Sequence, residues 1–197
     1  MRKTIHQKLP TNWDQKEKLR DKGQFWTPDW IADAMVAYVA RGADVVFDPG
    51  VGKGAFYTAL KKFAPKKKFF GTDIDPEIIA EARQEGIFGN DADLEIRDFI
   101  LNPPKKLFKA IVANPPYMRH HRLSPELKNH LRKMSLLNLG DTLDGRAGLH
   151  IYFLIQALSL LDKGGRLAFI MPADTCEGVF SKRLWNWISK KFCIDGV

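Results

Sequence analysis

Val45-Val46-Phe47-Asp48-Pro49-Gly50-Val51-Gly52-Lys53-Gly54 is the stretch that decides the fold. Its first three residues are β-branched or aromatic and read as a short buried strand. Glycine then recurs at every second position, and Gly54 to Phe63 carries a helical pattern. Glycine lets a chain turn sharply and lets a ligand approach without a Cβ in the way. The spacing G-x-G-x-G departs from the G-x-G-x-x-G that seats a pyrophosphate at a helix start. Taken alone, such a turn is also what any tight strand-to-helix connection looks like. Asp73, 21 residues beyond Gly52 and at the end of the next apolar run, adds the missing element. A carboxylate there can accept both ribose hydroxyls of a nucleoside cofactor. Asp75, directly before Pro76, suits a helix cap, which leaves Asp73 for the ribose and Ile74 to pack on an adenine face.

Outward from this turn the chain alternates short apolar runs with helical patterns. Phe69–Thr72 predicts a second strand, Pro76–Gln84 a helix, Leu94–Ile96 a third strand and Ala110–Ala113 a fourth. Leu149–Leu161 predicts a largely apolar helix stopped by Gly164-Gly165, and Arg166–Met171 a fifth strand. This rhythm argues an α/β fold with a mostly parallel twisted sheet and helices on both faces. Upstream, Thr27-Pro28-Asp29 predicts a helix start with Thr27 as cap, followed by an apolar stripe of Ile31, Met35 and Tyr38. Residues 118–147 interrupt the rhythm with a short helix from Ser124-Pro125 and a polar segment, Gly140 to Gly145. An insertion after a strand's carboxyl end is where an α/β sheet builds a substrate site.

The 197 residues suit one domain, with residues 1–24 as a basic N-terminal arm and 25–197 as the folded unit. The formal net charge of +8 favours a polyanionic partner or an anionic surface. Cys176 and Cys193 are too few for a disulfide scaffold and lack metal-ligand spacing, so no metal is expected. No signal peptide or bilayer-spanning run is visible, and the expectation is a cytoplasmic protein without membrane contact.

Asn114-Pro115-Pro116-Tyr117, at the end of the fourth strand, is the most specific signal. Proline fixes its own φ and pushes the preceding residue to an extended conformation. Asn114 and Pro115 are therefore both held extended. The Asn114 side-chain oxygen and the Pro115 carbonyl form a rigid acceptor pair for the two protons of an amino group. Tyr117 offers a ring face for a base.

These motifs, in this order, resemble the gamma group of amino-DNA methyltransferases, which make N6-methyladenine in prokaryotes, often in restriction–modification systems. Gly23 to Pro28, with Phe25 and Thr27, resembles the segment that closes over the methionine end of S-adenosyl-L-methionine. Asp48, Pro49, Gly50 and Gly52 lie in a stretch similar to the family's D-P-x-x-G-x-G-x-F loop, and Asp73 with Ile74 resembles its ribose-binding turn. Arg97-Asp98-Phe99 resembles the segment that meets the cofactor's adenine, with Asp98 accepting from its amino group. Asn114 to Tyr117 matches the catalytic motif. The resemblance implies a Rossmann-like class I methyltransferase fold, the cofactor S-adenosyl-L-methionine, and double-stranded DNA whose target adenine is flipped out. It also implies a separate specificity domain or subunit, because no target-recognition domain is visible. Ile194–Val197 reads as the start of a sixth strand, so the C-terminal strands look truncated.

Arg119-His120-His121-Arg122 suits either a phosphate contact or a solvated loop. His150, Tyr152, Trp185 and Trp187 read as helix residues of the core and surface. Two further functions compete. A methyltransferase acting on protein glutamine or RNA guanine needs the same acceptor pair. A non-catalytic cofactor-binding subunit, or half of a split enzyme, would also lack the missing parts.

Overall fold

A computed structural model describes residues 27–118, 123–143, 147–177 and 180–197. The N-terminal arm, Phe25, Arg119–Arg122 and Asp144-Gly145 lie outside the described residues. The order is α1 (Asp29–Val39), β1 (Val45–Asp48), α2 (Ala55–Phe63), β2 (Lys68–Asp73), α3 (Pro76–Gln84), β3 (Ala92–Ile96) and β4 (Phe108–Ala113). Then follow α4 (Pro125–Leu139), α5 (Leu149–Ser159), β5 (Leu161–Phe169), α6 (Asp174–Glu177) and α7 (Ser181–Lys191). The five strands form one sheet in the order β3-β2-β1-β4-β5, parallel throughout. This is a Rossmann-like α/β architecture.

Strand periodicity divides the core. Val46, Phe69, Ala110 and Val112 face one cluster with Val36 of α1, Leu60 of α2 and Ile79 of α3. Phe47, Phe70, Phe108 and Ile111 face the other, with Leu131 of α4, Ile155 of α5 and Leu184 of α7. In β1, in β2 and along Ala110–Val112 of β4, successive residues point at opposite helical layers, as a doubly covered parallel sheet requires. Phe47 stacks on Phe108 with ring centroids 4.2 Å apart and on Phe70 at 5.3 Å.

Four elements differ from the sequence expectation. Thr27 does not cap α1; the cap position is Pro28, whose carbonyl accepts from Ile31 and Ala32 at 3.0 Å each. Strand β5 starts at Leu161, not Arg166, and Gly164-Gly165 lie inside it. The register shifts from Phe108↔Leu161 to Ala110↔Arg166, so the glycines serve a bulge instead of stopping a helix. The helix from Ser124 is 15 residues long, and Ser124 caps it by accepting from Leu127 N–H. Ile194–Val197 forms no strand; instead the Asp195 carboxylate accepts the Tyr38 hydroxyl proton at 2.6 Å.

The glycine turn docks on β2 through a close approach. A Cβ on Gly71 would lie 2.2 Å from Val51 Cγ1 and 2.9 Å from the Phe69 ring. Gly71→Ala is therefore expected to lower stability by about 1–3 kcal/mol through overpacking. Urea denaturation measures this, and a variant as stable as the parent would show that the turn has room to shift.

Candidate active site

The sheet order reverses between β1 and β4, and the chain leaves every strand from β1 to β4 on the same carboxyl edge. A crevice opens at such a reversal. Asp48 ends β1, Asp73 ends β2, Asp98 follows β3 and Asn114 follows β4. The topology thus brings the predicted cofactor and catalytic segments to one edge.

The glycine turn is built by side chains of its neighbours. Asp73 Oδ2 accepts the Gly52 amide at 2.9 Å, and its Oδ1 accepts the Asp75 amide at 3.0 Å. The Thr72 hydroxyl donates to the Pro49 carbonyl at 3.1 Å, and the Val51 amide donates to the Thr72 carbonyl at 3.0 Å. A carboxylate oxygen carries two lone pairs, so each Asp73 oxygen keeps capacity for a further donor. Asp75 caps α3 as expected, accepting from Glu77 N–H.

The glycines divide by what surrounds them. Gly54 has φ +78° and a Cβ there would meet the Phe88 ring at 2.8 Å, so it is required by packing. Gly50 and Gly52 have open space, with the nearest outside atom of each 4.0 Å from a built Cβ. That space is what a ligand lying against the turn needs. Ile74 is 66% exposed at the mouth of β2, an apolar side chain with a free face.

Asp48 is fully buried. Its Oδ1 accepts the Gly50 amide at 3.1 Å, while Oδ2 has no partner among the described residues. Burial pushes its carboxyl pKa up to about 8, against the lowering effect of the Gly50 bond and with a further push from nearby Asp73. Burial also raises Asp73. Asp98 Oδ1 accepts from Ile100 and Leu101, closing the turn after β3. The Phe99 ring sits inside the core against Phe47 and Phe153, so it anchors that turn from beneath.

Asn114 leaves β4 and donates from Nδ2 to Thr27 Oγ1 at 3.1 Å. Tyr117 is held by its hydroxyl, which donates to the Ile170 carbonyl at 3.1 Å, and its ring lies 5.5 Å from that of His150. Burial raises the Tyr117 pKa to about 12. Pro115 is buried and Pro116 half-buried. Neither the Thr27–Asn114 bond nor the Tyr117–Ile170 bond was legible in the sequence, since each joins segments far apart in the chain. Among the described residues no cluster of side chains is suited to hold a metal ion, and no helix is long and apolar enough to cross a membrane.

The sequence profile of the Eco57I restriction-modification methylases matches residues 56–196. The chain belongs to that family. It is 26% identical over 169 residues to the Type II methyltransferase M.AccI of Acinetobacter calcoaceticus, covering 85% of this chain and 31% of that protein. It is 30% identical over 138 residues to a release factor glutamine methyltransferase of Moorella thermoacetica, covering 68% of this chain and 48% of that one. The fold matches TrmN of Thermus thermophilus with a TM-score of 0.54 at 21% identity, over 84% of this chain and 43% of that one. The chain spans about 30% of the length of the restriction–modification methyltransferases it matches. The cofactor of the Eco57I methylase family is S-adenosyl-L-methionine. The open faces of Gly50 and Gly52, the acceptor capacity of Asp73 and the unpartnered Asp48 oxygen fit a cationic nucleoside of that kind.

The buried Asp48 carboxyl sets a pH dependence. The unfolded chain releases this proton near the ordinary aspartate value of about 3.9, the folded chain near 8. Between those values the unfolded state binds fewer protons, so stability falls as pH rises. Asp48→Asn removes the titrating group. Denaturation midpoints taken at intervals across this window are expected to fall less steeply in the variant, and equal slopes would show that Asp48 is not the group responsible.

Proposed function

We propose that this chain is the cofactor-binding and catalytic part of a DNA adenine-N6 methyltransferase. The observation that carries the reading is the placement of Asn114-Pro115-Pro116-Tyr117 at the sheet's topological switch, on the same edge as the glycine turn. The family match supports methyl transfer within restriction–modification chemistry.

Asp73 would take the ribose hydroxyls, Gly50 and Gly52 the main body of the cofactor, and Ile74 and Asp98 its adenine. Phe25, Thr27, Asp48 and Pro49 would frame the remaining walls, with Phe99 bracing the Asp98 turn from the core. S-adenosyl-L-methionine, when bound, supplies an electrophilic methyl group on a sulfonium. The target base must leave the duplex stack, because its amino group is otherwise paired. Asn114 Oδ1 and the Pro115 carbonyl would then accept its two N–H groups and aim the nitrogen lone pair away from both. This is catalysis by orientation and electrostatics, with no strong base required. Tyr117 would stack on the base, and its hydroxyl bond to Ile170 fixes the ring for that contact. Because of that bond, Tyr117→Phe is not neutral: it keeps the ring face and loses the anchor.

Charge distribution supports a nucleic-acid partner. Residues 27–117 carry 12 basic and 13 acidic side chains, whereas residues 118–197 carry 12 and 7. A cleft of about 720 Å³ between the end of α4 and α7 is lined by Lys182, Lys190, Phe180 and Trp187, and by Arg183 paired with Asp141 at 2.8 Å. Helix α7 has four cations and no acid. The second reading, methyl transfer to a protein glutamine, is favoured by the Moorella relative, since a glutamine amide presents the same two N–H groups. A specificity domain or subunit would supply the sequence reading.

Radiolabelled methyl transfer, run on the protein at the full length its gene encodes and followed by nucleoside analysis, tests the reading. Label is expected on adenine N6. Asn114→Ala should abolish turnover while leaving cofactor affinity nearly intact, because the lost contact is to the reacting amino group. Label on cytosine, RNA or a protein glutamine would overturn the substrate assignment, and full activity in Asn114→Ala the mechanism.

The chain itself should bind unrelated DNA duplexes with similar, salt-sensitive affinity. Lys182→Glu with Lys190→Glu should reduce both the affinity and the salt slope, the latter by about 2. Lys66→Glu with Lys67→Glu, in the turn between α2 and β2, should do neither. Titrations at several salt concentrations read both, and equal losses in the two pairs would remove α7 from the interface.

A further inference from the structure

Asp48 ends β1, the central strand of the sheet, and is fully buried. Its Oδ1 accepts the Gly50 amide at 3.1 Å, while Oδ2 has no partner among the described residues. An ionised carboxylate offers about four acceptor sites, and one that is buried with so few of them filled is costly in its charged form. Its surroundings add no compensating cation. Lys53 of the glycine turn is drawn to Glu81 and Glu85 of α3, at 3.6 and 3.5 Å. The charged side chain that acts on Asp48 is Asp73 of β2, of the same sign. Asp75 caps α3 and Asp98 closes the turn after β3, each on backbone amides. The chain enters α1 past Thr27 and leaves β4 at Asn114, and neither ionises. Desolvation and a like charge both favour the neutral acid.

We propose that Asp48 is a specificity-determining residue that senses charge: it carries a proton in the cofactor-free chain, gives it up to solvent when the sulfonium cation of S-adenosyl-L-methionine enters, and so separates the cofactor from its demethylated product. The inference rests on the reading of the carboxyl-edge cleft as the cofactor site.

The link from Asp48 to the ligand face is short. Gly50, whose amide Asp48 holds, is one of the two glycines with open space before them. A cation lying against that turn acts on Asp48 through protein, where charges interact more strongly than through water. The cation favours the carboxylate, and by linkage the carboxylate favours the cation by the same factor. The product keeps the nucleoside and amino-acid parts but carries a neutral thioether, so this preference is withdrawn. One proton leaves Asp48 for solvent as the cation enters, and one returns from solvent when the sulfur has lost its charge. The site thus holds the methyl donor more tightly than the spent product. Asp73 is less suited to this task. Its two oxygens already accept the Gly52 and Asp75 amides, and the ribose hydroxyls it would meet are the same in both ligands.

Titration calorimetry on the full-length protein, near pH 7 in two buffers of different ionisation enthalpy, counts the protons. Binding of S-adenosyl-L-methionine is expected to release about half a proton or more, and binding of the product several times less. Asp48→Asn keeps an acceptor for the Gly50 amide and mimics the neutral acid, so it should release no more for the cofactor than for the product. Between about pH 6.5 and 7.5 the affinity of the parent should rise about three- to tenfold for the cofactor and less than about twofold for the product. Should the asparagine variant fail to fold, Asp48→Ser takes its place, and the comparison of the two ligands on the parent needs no variant. Equal proton release for cofactor and product on the parent overturns the proposal. So does a release that persists undiminished in the Asp48 variant, which would assign the proton to another group. Failure of both ligands to bind the parent, checked by equilibrium dialysis, overturns the cofactor reading and the proposal with it.

Discussion

The Asp73 carboxylate accepts the Gly52 amide on one oxygen and the Asp75 amide on the other, and the cofactor side of the site depends on this pair of bonds. The first ties the glycine turn to the end of β2. The second sets the chain's course into α3, where Asp75 takes over as cap. A charged or partly charged acceptor makes stronger bonds to backbone N–H than a neutral one. The same group that would hold a ribose thus holds the turn that would hold the rest of the cofactor. Thr72 adds a neutral bond to the Pro49 carbonyl, and Gly71 lets Val51 settle against the sheet. Three successive residues of β2 are shaped by the loop that follows β1.

The catalytic side is fixed by a different device. Parallel pairing continues past the end of β4, where the Ile170 amide donates to the Ala113 carbonyl. Asn114 leaves the sheet at that point and is caught by Thr27, while Tyr117 reaches over to the Ile170 carbonyl. The motif is therefore tied to α1 on one flank and to β5 on the other. Further on, the Leu149 amide donates to the Met118 carbonyl, so the insertion between them returns to the place where it left. Between these two ends α4 packs Leu131 and Met134 into the core.

Much of this was legible because the relevant forces are local. Strand periodicity in Val45–Phe47 and Phe69–Thr72, the Asp75-Pro76 cap and the Asp48–Gly54 turn each declare themselves within a few residues. The misreadings share an opposite cause. Thr27 looks like a cap because threonine before proline suits a helix start, and only the folded chain shows the hydroxyl turned toward Asn114. Gly164-Gly165 look like a helix stop, since nothing local distinguishes a stop from a bulge in an edge strand paired to β4. Phe99 sits next to Asp98 in a cofactor-like segment, yet its ring belongs to the core. The distinction between Gly50 or Gly52, which face open space, and Gly54 or Gly71, which face packed side chains, likewise required the tertiary structure.

The central claim is that the carboxyl-edge cleft built around Asp73 binds S-adenosyl-L-methionine. Titration calorimetry of the cofactor and of its demethylated product, on the chain and on Asp73→Ala, tests it most directly. The account predicts measurable binding to the parent and a loss of about 1–3 kcal/mol in the variant, from a carboxylate that both accepts ligand hydroxyls and staples the turn. Binding equal in the two proteins would contradict it.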